Sequence, residues 1–265
     1  MTPEAMLEKL ETHLASLGNV LVAFSGGVDS SLLAVAAGRA LGDKALAVTA
    51  RSPSMPKREL DLARSLASGF GFKHREIDVY ETSCPDYAAN TPKRCYFCKT
   101  ELFSQLRLIA GDAIILDGNN ADDVSDYRPG HQAALEAGVR SPFMELGFAK
   151  EDIRAMSRLL GLPTAERPAQ ACLASRLAYG VAIDAETLLK VEKAEDFILS
   201  LGVDNVRVRV HQGLLARIEV PEKFIIAIAE KHAQIVESLK KLGFTHVSLD
   251  LRGYRSGSMN EGVAK

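Results

Sequence analysis

Hydrophobic spacing along the chain changes period several times. Residues 5–17 place Met6, Leu7, Leu10, Leu14 and Leu17 at helical intervals, which predicts an amphipathic helix. The run NVLVAF at 19–24 is short, unbroken and apolar and leads into Ser-Gly-Gly, as suits a buried parallel strand. Residues 29–41 return to the helical period, with Leu32, Leu33, Val35, Ala36 and Leu41 inward and Gly42 closing the helix. The alternation continues through a strand at 44–50, a helix at 56–69, a strand at 74–79, a helix at 97–110 and a strand at 112–118. Strand and helix taken in turn predict an α/β fold, a parallel sheet with helices on both faces.

The pattern changes after about residue 165. Pro163 and Pro168 bracket the start of an irregular stretch, and residues 185–201 are helical again. NVRVRVH and LLARIEV alternate strictly on either side of Gln212-Gly213, a hairpin signal. A long helix over 221–241 and a last strand over 244–251 complete a small α+β domain. The expected organisation is a nucleotide domain at 1–165, a connector at 166–184 and a small domain at 185–265.

Composition narrows the function classes. The chain has 265 residues, 47% hydrophobic and 25% charged, enough to bury a core without disulfides or metals as staples. No apolar run reaches the ~20 residues that span a bilayer, so no membrane partner is expected. The first residues are acidic and lack a basic start followed by an apolar block, which argues against a secretion signal and for the cytoplasm. A net charge of -2 argues against a nucleic-acid partner, although short basic clusters occur at MPKRE, PKRC and RGYRSG. In a reducing compartment the four cysteines, Cys84, Cys95, Cys98 and Cys172, are candidates for metal binding or catalysis rather than disulfides.

The strongest local motif is Ser25-Gly26-Gly27-Val28-Asp29-Ser30, followed by Ser31, between a buried strand and a helix. A helix start offers unpaired N–H groups and the positive end of the dipole to an anion. Gly26 and Gly27 let the backbone approach a phosphate, and Ser25, Ser30 and Ser31 add hydroxyls. Asp29 alone would repel phosphate, so it suits Mg²⁺ or a capping role. No Gly-Lys-Ser/Thr follows, which excludes a P-loop of the usual NTPase kind. The motif is similar to the signature of the ATP-pyrophosphatase (PP-loop) superfamily. The segment from Asp117 to Asp123 falls at the carboxyl end of the fourth strand, where ligands of open α/β sheets bind; Asp122 and Asp123 are either further Mg²⁺ ligands or caps in a polar loop.

Cys95 and Cys98 form a Cys-x2-Cys pair, by itself a weak signal, and Cys172 lies close to Arg176 in the connector, where a cation favours a nucleophilic thiolate. Arg207 and Arg209 are two apart on a strand and share one face, while Val206, Val208 and Val210 share the other; Arg217 and Glu219 alternate on the partner strand. The residues alone leave two readings of that face, an anion clamp or a solvated surface.

Together SGGVDSS, RCYFCK, PAQACLASRLAYG, VRVRVH with ARIEV, and the tail LDLRGYRSGSMNE resemble the ATP-dependent sacrificial sulfur transferase family, LarE, over nearly the whole chain. The resemblance implies adenylation of carboxylates of pyridinium-3,5-biscarboxylic acid mononucleotide and their conversion to thiocarboxylates, in the making of the nickel-pincer nucleotide. It implies ATP bound at Ser25, Gly26, Gly27, Asp29 and Ser30; Mg²⁺ at Asp29 and Asp122 is the expectation from the carboxylates themselves. It implies Cys172, Arg207, Arg209 and Glu195 as catalytic, and Arg176 and Glu219 as substrate-binding. Some family members sacrifice the sulfur of the cysteine equivalent to Cys172 and keep dehydroalanine; others hold a [4Fe-4S] cluster on three cysteines, here Cys95, Cys98 and Cys172, with Cys84 outside the pattern. The resemblance also implies a homo-oligomer, hexameric in family members. One departure is Ala178, where the family usually has proline. The rival readings are a tRNA thiolase of the same superfamily, an ammonia-dependent amide synthetase like NAD or GMP synthases, and zinc held with His74 or His131 as fourth ligand.

Overall fold

The computed structural model describes residues 1–125, 129–168, 170–255 and 257–260. Ala169, Ser256 and Glu261 of the motifs above lie outside the described residues. In chain order the elements are α1 (Pro3–Ser16), β1 (Val20–Ala23), α2 (Val28–Leu41), β2 (Ala45–Arg51), α3 (Lys57–Phe70), β3 (His74–Asp78), α4 (Pro85–Ala88), α5 (Arg94–Ala110), β4 (Ile114–Leu116), α6 (Pro129–Glu136), α7 (Pro142–Leu146), α8 (Lys150–Leu159), α9 (Ala185–Ser200), β5 (Arg207–His211), β6 (Leu215–Glu219), α10 (Ile225–Glu230), α11 (His232–Lys241) and β7 (His246–Leu249). They fall into two compact units, 1–81 with 95–170, and 82–94 with 171–265.

In the first unit four parallel strands run in the order β3-β2-β1-β4. Side chains alternate across this sheet, and β1, β2 and β4 are largely buried, as their apolar runs predict, whereas the edge strand β3 is polar and has no buried side chain. Val20 and Val22 face a core shared with Leu10 and Leu14 of α1, Leu32 and Leu33 of α2, Leu66 of α3 and Ile153 of α8. Leu21, Val48 and Ile115 face the opposite layer, with Phe103 and Leu106 of α5 and Ala134 of α6. Strand order reverses at β1, so the loops after β1 and β4 part there and leave room for a ligand. The segment between 119 and 165 adds α6, α7 and α8, the last an amphipathic helix that buries Ile153, Met156 and Ser157.

In the second unit β5 and β6 form the expected antiparallel hairpin, and β7 adds parallel to β6. Leu177 bridges to Val210 on the outer edge of β5, and the Ala178 N–H donates to the Val210 carbonyl at 2.9 Å. One expectation fails. Residues 221–241 are not one helix: a short turn at 222–224 leads into α10, and Lys231, at φ -90° and ψ 15°, separates it from α11. Ile225, Ile226 and Ile228 are β-branched and crowd the preceding turn, and the Lys231 ammonium leaves to bind the Leu201 carbonyl at 2.8 Å.

Residues 82–94 belong by their contacts to the second unit, although the sequence places them inside the first domain. Asn90 makes this possible. Its backbone is left-handed, at φ 51°, a conformation asparagine tolerates well. Its buried amide donates to the carbonyls of Ala178 and Val181, both at 2.8 Å, and its Oδ1 accepts from Arg94 Nη1 at 2.7 Å. Arg94 in turn stacks over the Tyr179 ring.

Candidate active site

The first unit carries the glycine loop. Gly27 is the N-cap of α2 and has no side chain to offer, so the first N–H groups of the helix stay open to a ligand. Gly26 holds φ 77°, a turn that a residue with Cβ adopts only under strain. Ser30 Oγ ties the loop together: it donates to the Gly27 carbonyl and accepts from the Ser25 N–H, both at 3.2 Å. The loop after β4 packs hard against this helix start, and a Cβ on Gly118 would lie 3.0 Å from Asp29 Cβ and 3.1 Å from Ser30 N. A cavity of about 230 Å³ opens here, lined by Phe24, Ser25, Gly27, Asp29 and Ser30 from the first loop, Val48, Ala50 and Met55 from the β2 side, and Asp117, Gly118 and Asn119 from the β4 side. Lys99 of α5 reaches its wall. A lining that combines apolar and polar groups suits a purine base with a phosphate tail.

Asp29 meets a residue that spacing could not reveal. Lys150 Nζ lies 2.5 Å from Asp29 Oδ2, and Asn120 Nδ2 donates to Asp29 Oδ1 at 3.4 Å. The Lys150 N–H, at the first turn of α8, donates to Asp122 Oδ2 at 2.8 Å. Asp122 thus acts here as a helix cap, Asp123 accepts from the Asn120 N–H, and Asp117 is held by Ser141 and Asn119. Of these carboxylates Asp29 and Asp117 line the cavity, Asp29 at the helix start and Asp117 on the β4 side.

Cys95 and Cys98 sit in the first turn of α5, one turn apart and so on one helix face. Cys172, in the second unit, is the exposed N-cap of a short turn over Leu173–Arg176. Among the described residues no group of three or more His, Cys, Asp and Glu side chains is arranged to hold a metal. The first unit offers two of the three thiols that a cluster with an open iron needs; the third belongs to the second unit. Cys84 precedes α4 at its N-cap.

The second unit holds a core of charge. Arg176 is fully buried, and Glu195, equally buried, grips it with both oxygens: Nε donates to Oε1 at 2.8 Å and Nη2 to Oε2 at 3.1 Å. Glu195 Oε1 also accepts from the Val208 N–H at 3.1 Å, which fastens α9 to β5. The remaining arm of Arg176 donates to the carbonyls of Ala171 at 2.6 Å and Cys172 at 3.0 Å. Its charge is therefore directed at the backbone of the cysteine turn.

Arg207 and Arg209 do share a face, and that face is not solvated, since they are only 4% and 5% exposed. Arg209 donates through Nε to Glu219 Oε2 at 2.9 Å, through Nη2 to Ser258 Oγ at 3.1 Å and through Nη1 to the Ser175 carbonyl at 3.2 Å. Arg217, opposite Arg209 in the ladder, reaches the other Glu219 oxygen at 3.0 Å and Asp250 at 3.1 Å. Arg207 donates to Asn205 Oδ1 at 2.6 Å and lies over the Tyr254 ring. Burial first, then the neighbouring Arg176, push its pKa down to about 10, and Glu195 acts in the other direction. It stays a cation at neutral pH. Ser258 and Tyr254 bring the tail motif into this core, a contact that only the fold reveals.

Comparison with known proteins fits both units. The family described as asparagine synthase matches residues 3–190. An uncharacterized protein of Synechocystis is 44% identical over 99% of both chains. The pyridinium-3,5-bisthiocarboxylic acid mononucleotide synthase of Lactiplantibacillus plantarum is 40% identical over 97% of this chain and 94% of its own. An NH(3)-dependent NAD(+) synthetase of Finegoldia magna is 27% identical, over 58% of this chain and 66% of its own. The asparagine-synthase match covers the glycine loop and its sheet and ends at residue 190, before β5 and β6, whereas the match to the mononucleotide synthase spans nearly the whole chain. The chain is an ATP-using PP-loop enzyme, and it belongs to the LarE family of sulfur transferases.

Proposed function

We propose that this protein uses ATP to adenylate a carboxylate of pyridinium-3,5-biscarboxylic acid mononucleotide and then replaces the AMP with sulfur carried by Cys172. The observation that carries this reading is the cysteine turn: an exposed thiol on a backbone clamped from below by buried Arg176 and Arg209. A carboxylate is a poor acyl donor because oxide is a poor leaving group. Its oxygen attacks the α-phosphorus of ATP, pyrophosphate leaves, and AMP becomes the leaving group. The Cys172 thiolate then attacks the acyl carbon, AMP departs, and an S-acyl cysteine remains. Scission of its Cβ–S bond leaves the thiocarboxylate product and dehydroalanine at 172.

The residues of each unit fit these steps. The open N–H groups at Gly27 and Val28, with the Ser25 and Ser30 hydroxyls, bind the ATP phosphates. Asp29 is the carboxylate that would hold Mg²⁺ against those phosphates, a donor set that suits an ion keeping mostly phosphate and water ligands. Mg²⁺ would neutralise charge on the departing pyrophosphate. Asp122 is engaged at α8, so it would bind only through a water or after α8 shifts. Arg207 and Arg209 present fixed guanidinium charge to the substrate phosphate, and Glu219 keeps Arg209 and Arg217 aimed.

Cys95 and Cys98 favour a second reading of the sulfur source. Two thiols on one helix face match two ligands of a [4Fe-4S] cluster with Cys172 as the third. Such a cluster would supply an iron on which exogenous sulfide is delivered. The net charge of -2 speaks against a nucleic-acid partner, and among the described residues no helix is long and apolar enough to cross a membrane. We place the enzyme in the cytoplasm as a homo-oligomer, the hexamer of its family. The test of function is stoichiometry: AMP and pyrophosphate formed in equal amounts, only when the pyridinium substrate is present, with a thiocarboxylate as product. ADP in place of AMP would remove the assignment.

A further inference from the structure

The carbonyl oxygen of Cys172 accepts three hydrogen bonds. The Ser175 N–H donates at 3.0 Å, the Ser175 hydroxyl at 2.7 Å and Arg176 Nη1 at 3.0 Å. A peptide oxygen has two lone pairs and is satisfied by one or two donors. Here a third donor is added, and it is a buried cation whose own position is fixed by both oxygens of Glu195. Arg209 holds the Ser175 carbonyl from the other side at 3.2 Å, so the turn cannot swing its donors away. The arrangement resembles the donor set that stabilises an oxyanion, yet it surrounds an ordinary backbone carbonyl.

We propose that Ser175 and Arg176 form an oxyanion hole for the peptide carbonyl of Cys172, and that it promotes release of the cysteine sulfur by stabilising the enolate formed when the Cα proton leaves. The inference rests on Cys172 acting as the consumed sulfur donor. The step balances within residue 172. Solvent takes the Cα proton. The C–H electron pair moves onto the carbonyl as an enolate held by the three donors, then returns to form the Cα=Cβ double bond. The Cβ–S bond breaks, and its pair leaves on the thiocarboxylate sulfur. Neither oxidant nor reductant is needed, and the exposed turn gives solvent access to the Cα proton. Without the hole, a peptide Cα–H is a very weak acid and the S-acyl cysteine would persist. Glu195 is a positioning residue, because it touches the guanidinium and not the reacting atoms.

The test is a single turnover of the full chain with ATP and the pyridinium substrate, followed by intact-mass and peptide mass spectrometry. Wild type should pass to a species lighter by about 34 Da at residue 172, the loss of H₂S equivalents from cysteine. In Ser175→Ala and Arg176→Lys the S-acyl adduct at Cys172 should accumulate, with elimination slowed by about 10-fold for the hydroxyl and about 100-fold or more for the guanidinium. Raising the pH should restore elimination in part, since a stronger base offsets the lost hole. Arg176→Lys guards against an unfolded variant, and far-UV circular dichroism checks it; Ser175→Ala leaves the buried ion pair in place. Variants that eliminate at the wild-type rate with no adduct overturn the hole while leaving Cys172 as donor. Wild type that turns over repeatedly with sulfide and shows no mass loss overturns the donor reading, and the hole falls with it.

Discussion

The two units prepare polar groups for ligand by opposite means. The glycine loop of the first is made of backbone and small hydroxyls, and the Asp29–Lys150 pair beside it is partly exposed, at 24% and 31% of each side chain. The second unit buries Arg176, Arg207 and Arg209 and neutralises them with Glu195 and Glu219, both fully buried. A loop of N–H groups carries little charge, so it needs no counter-ion before ATP arrives. A guanidinium withdrawn from water does need one, and breaking the pair strands its partner. The lowered pKa of Arg207, about 10 because of burial and the adjacent Arg176, expresses that cost. The first site is therefore separable from stability, and the second is part of the core that holds β5, α9 and the cysteine turn together.

The strongest way to break this contrast is to remove one partner from each site. Arg176→Ala should destabilise the second unit by about 3–5 kcal/mol, because Glu195 is left as an unpaired buried charge. Arg176→Met combined with Glu195→Leu should recover much of that loss, and urea midpoints of the three proteins measure it. Asp29→Ala should lower pyrophosphate release by about 100-fold or more while changing stability by less than ~1 kcal/mol, since its partner is solvated. If Asp29→Ala unfolds the protein, or Arg176→Ala does not weaken it, the two sites are not built differently.

Milder changes sharpen the same contrast. Arg209→Lys keeps the charge but cannot reach Glu219, Ser258 and the Ser175 carbonyl at once, and it should cost about 10-fold or more in activity. Gly118→Ala tests the fit of the first site. Its Cβ would press on Asp29 Cβ and Ser30 N, so the helix start must move by a few tenths of an ångström. The expected outcome is a raised KM for ATP by about 10-fold, with an almost unchanged urea midpoint.

What could be read from sequence follows the same division. The parallel sheet was legible because its inner strands are short apolar runs, as with Val20–Ala23 and most of Ala45–Arg51, set between helical periods; the polar edge strand His74–Asp78 shows only as part of that alternation. The glycine loop was legible because its residues are contiguous. Lys150 was not: the helical spacing of Ile153 and Met156 can place it at a helix start, but its contact with Asp29 spans 121 positions and is tertiary. Arg207 and Arg209 could be put on one face, but their burial depends on Glu195, Glu219 and the tail residue Ser258, whose approach is tertiary. The excursion of 82–94 into the second unit rests on the backbone of Asn90 and its three-way amide, which no apolar pattern records. The break at Lys231 likewise has neither Gly nor Pro to announce it.

The smallest expected effect compares one histidine from each unit. Burial pushes the His74 imidazole below its ordinary value, with Glu76 opposing and Arg64 adding to the shift. His211 moves the same way, first through burial and then through the Arg217 and Arg209 charges, with Glu219 opposing. Thr49 Oγ1 donates to the Phe24 carbonyl at 2.8 Å, so at its contact with His74, also 2.8 Å, it must accept from the ring Nε2–H. The neutral ring of His74 can therefore make its bond, whereas among the described residues the buried Nε2 of His211 has no hydrogen-bond partner. A base whose folded pKa is lowered takes its proton more readily when unfolded. Stability is therefore complete above the ordinary imidazole value of about 6.5 and falls as pH drops through it. The carboxylates lowered by arginine partners, Glu76 and Glu145, lose their contribution only at more acid pH, below the ordinary carboxylate range, so the windows separate. Urea midpoints taken between about pH 7.5 and 5.5 should fall in wild type and flatten in a His74→Gln, His211→Gln double variant. His211→Gln alone should leave the midpoint at neutral pH nearly unchanged, while His74→Gln should lower it by the bond to Thr49. An acid slope that survives both substitutions would assign the proton uptake to other groups and remove this distinction between the units.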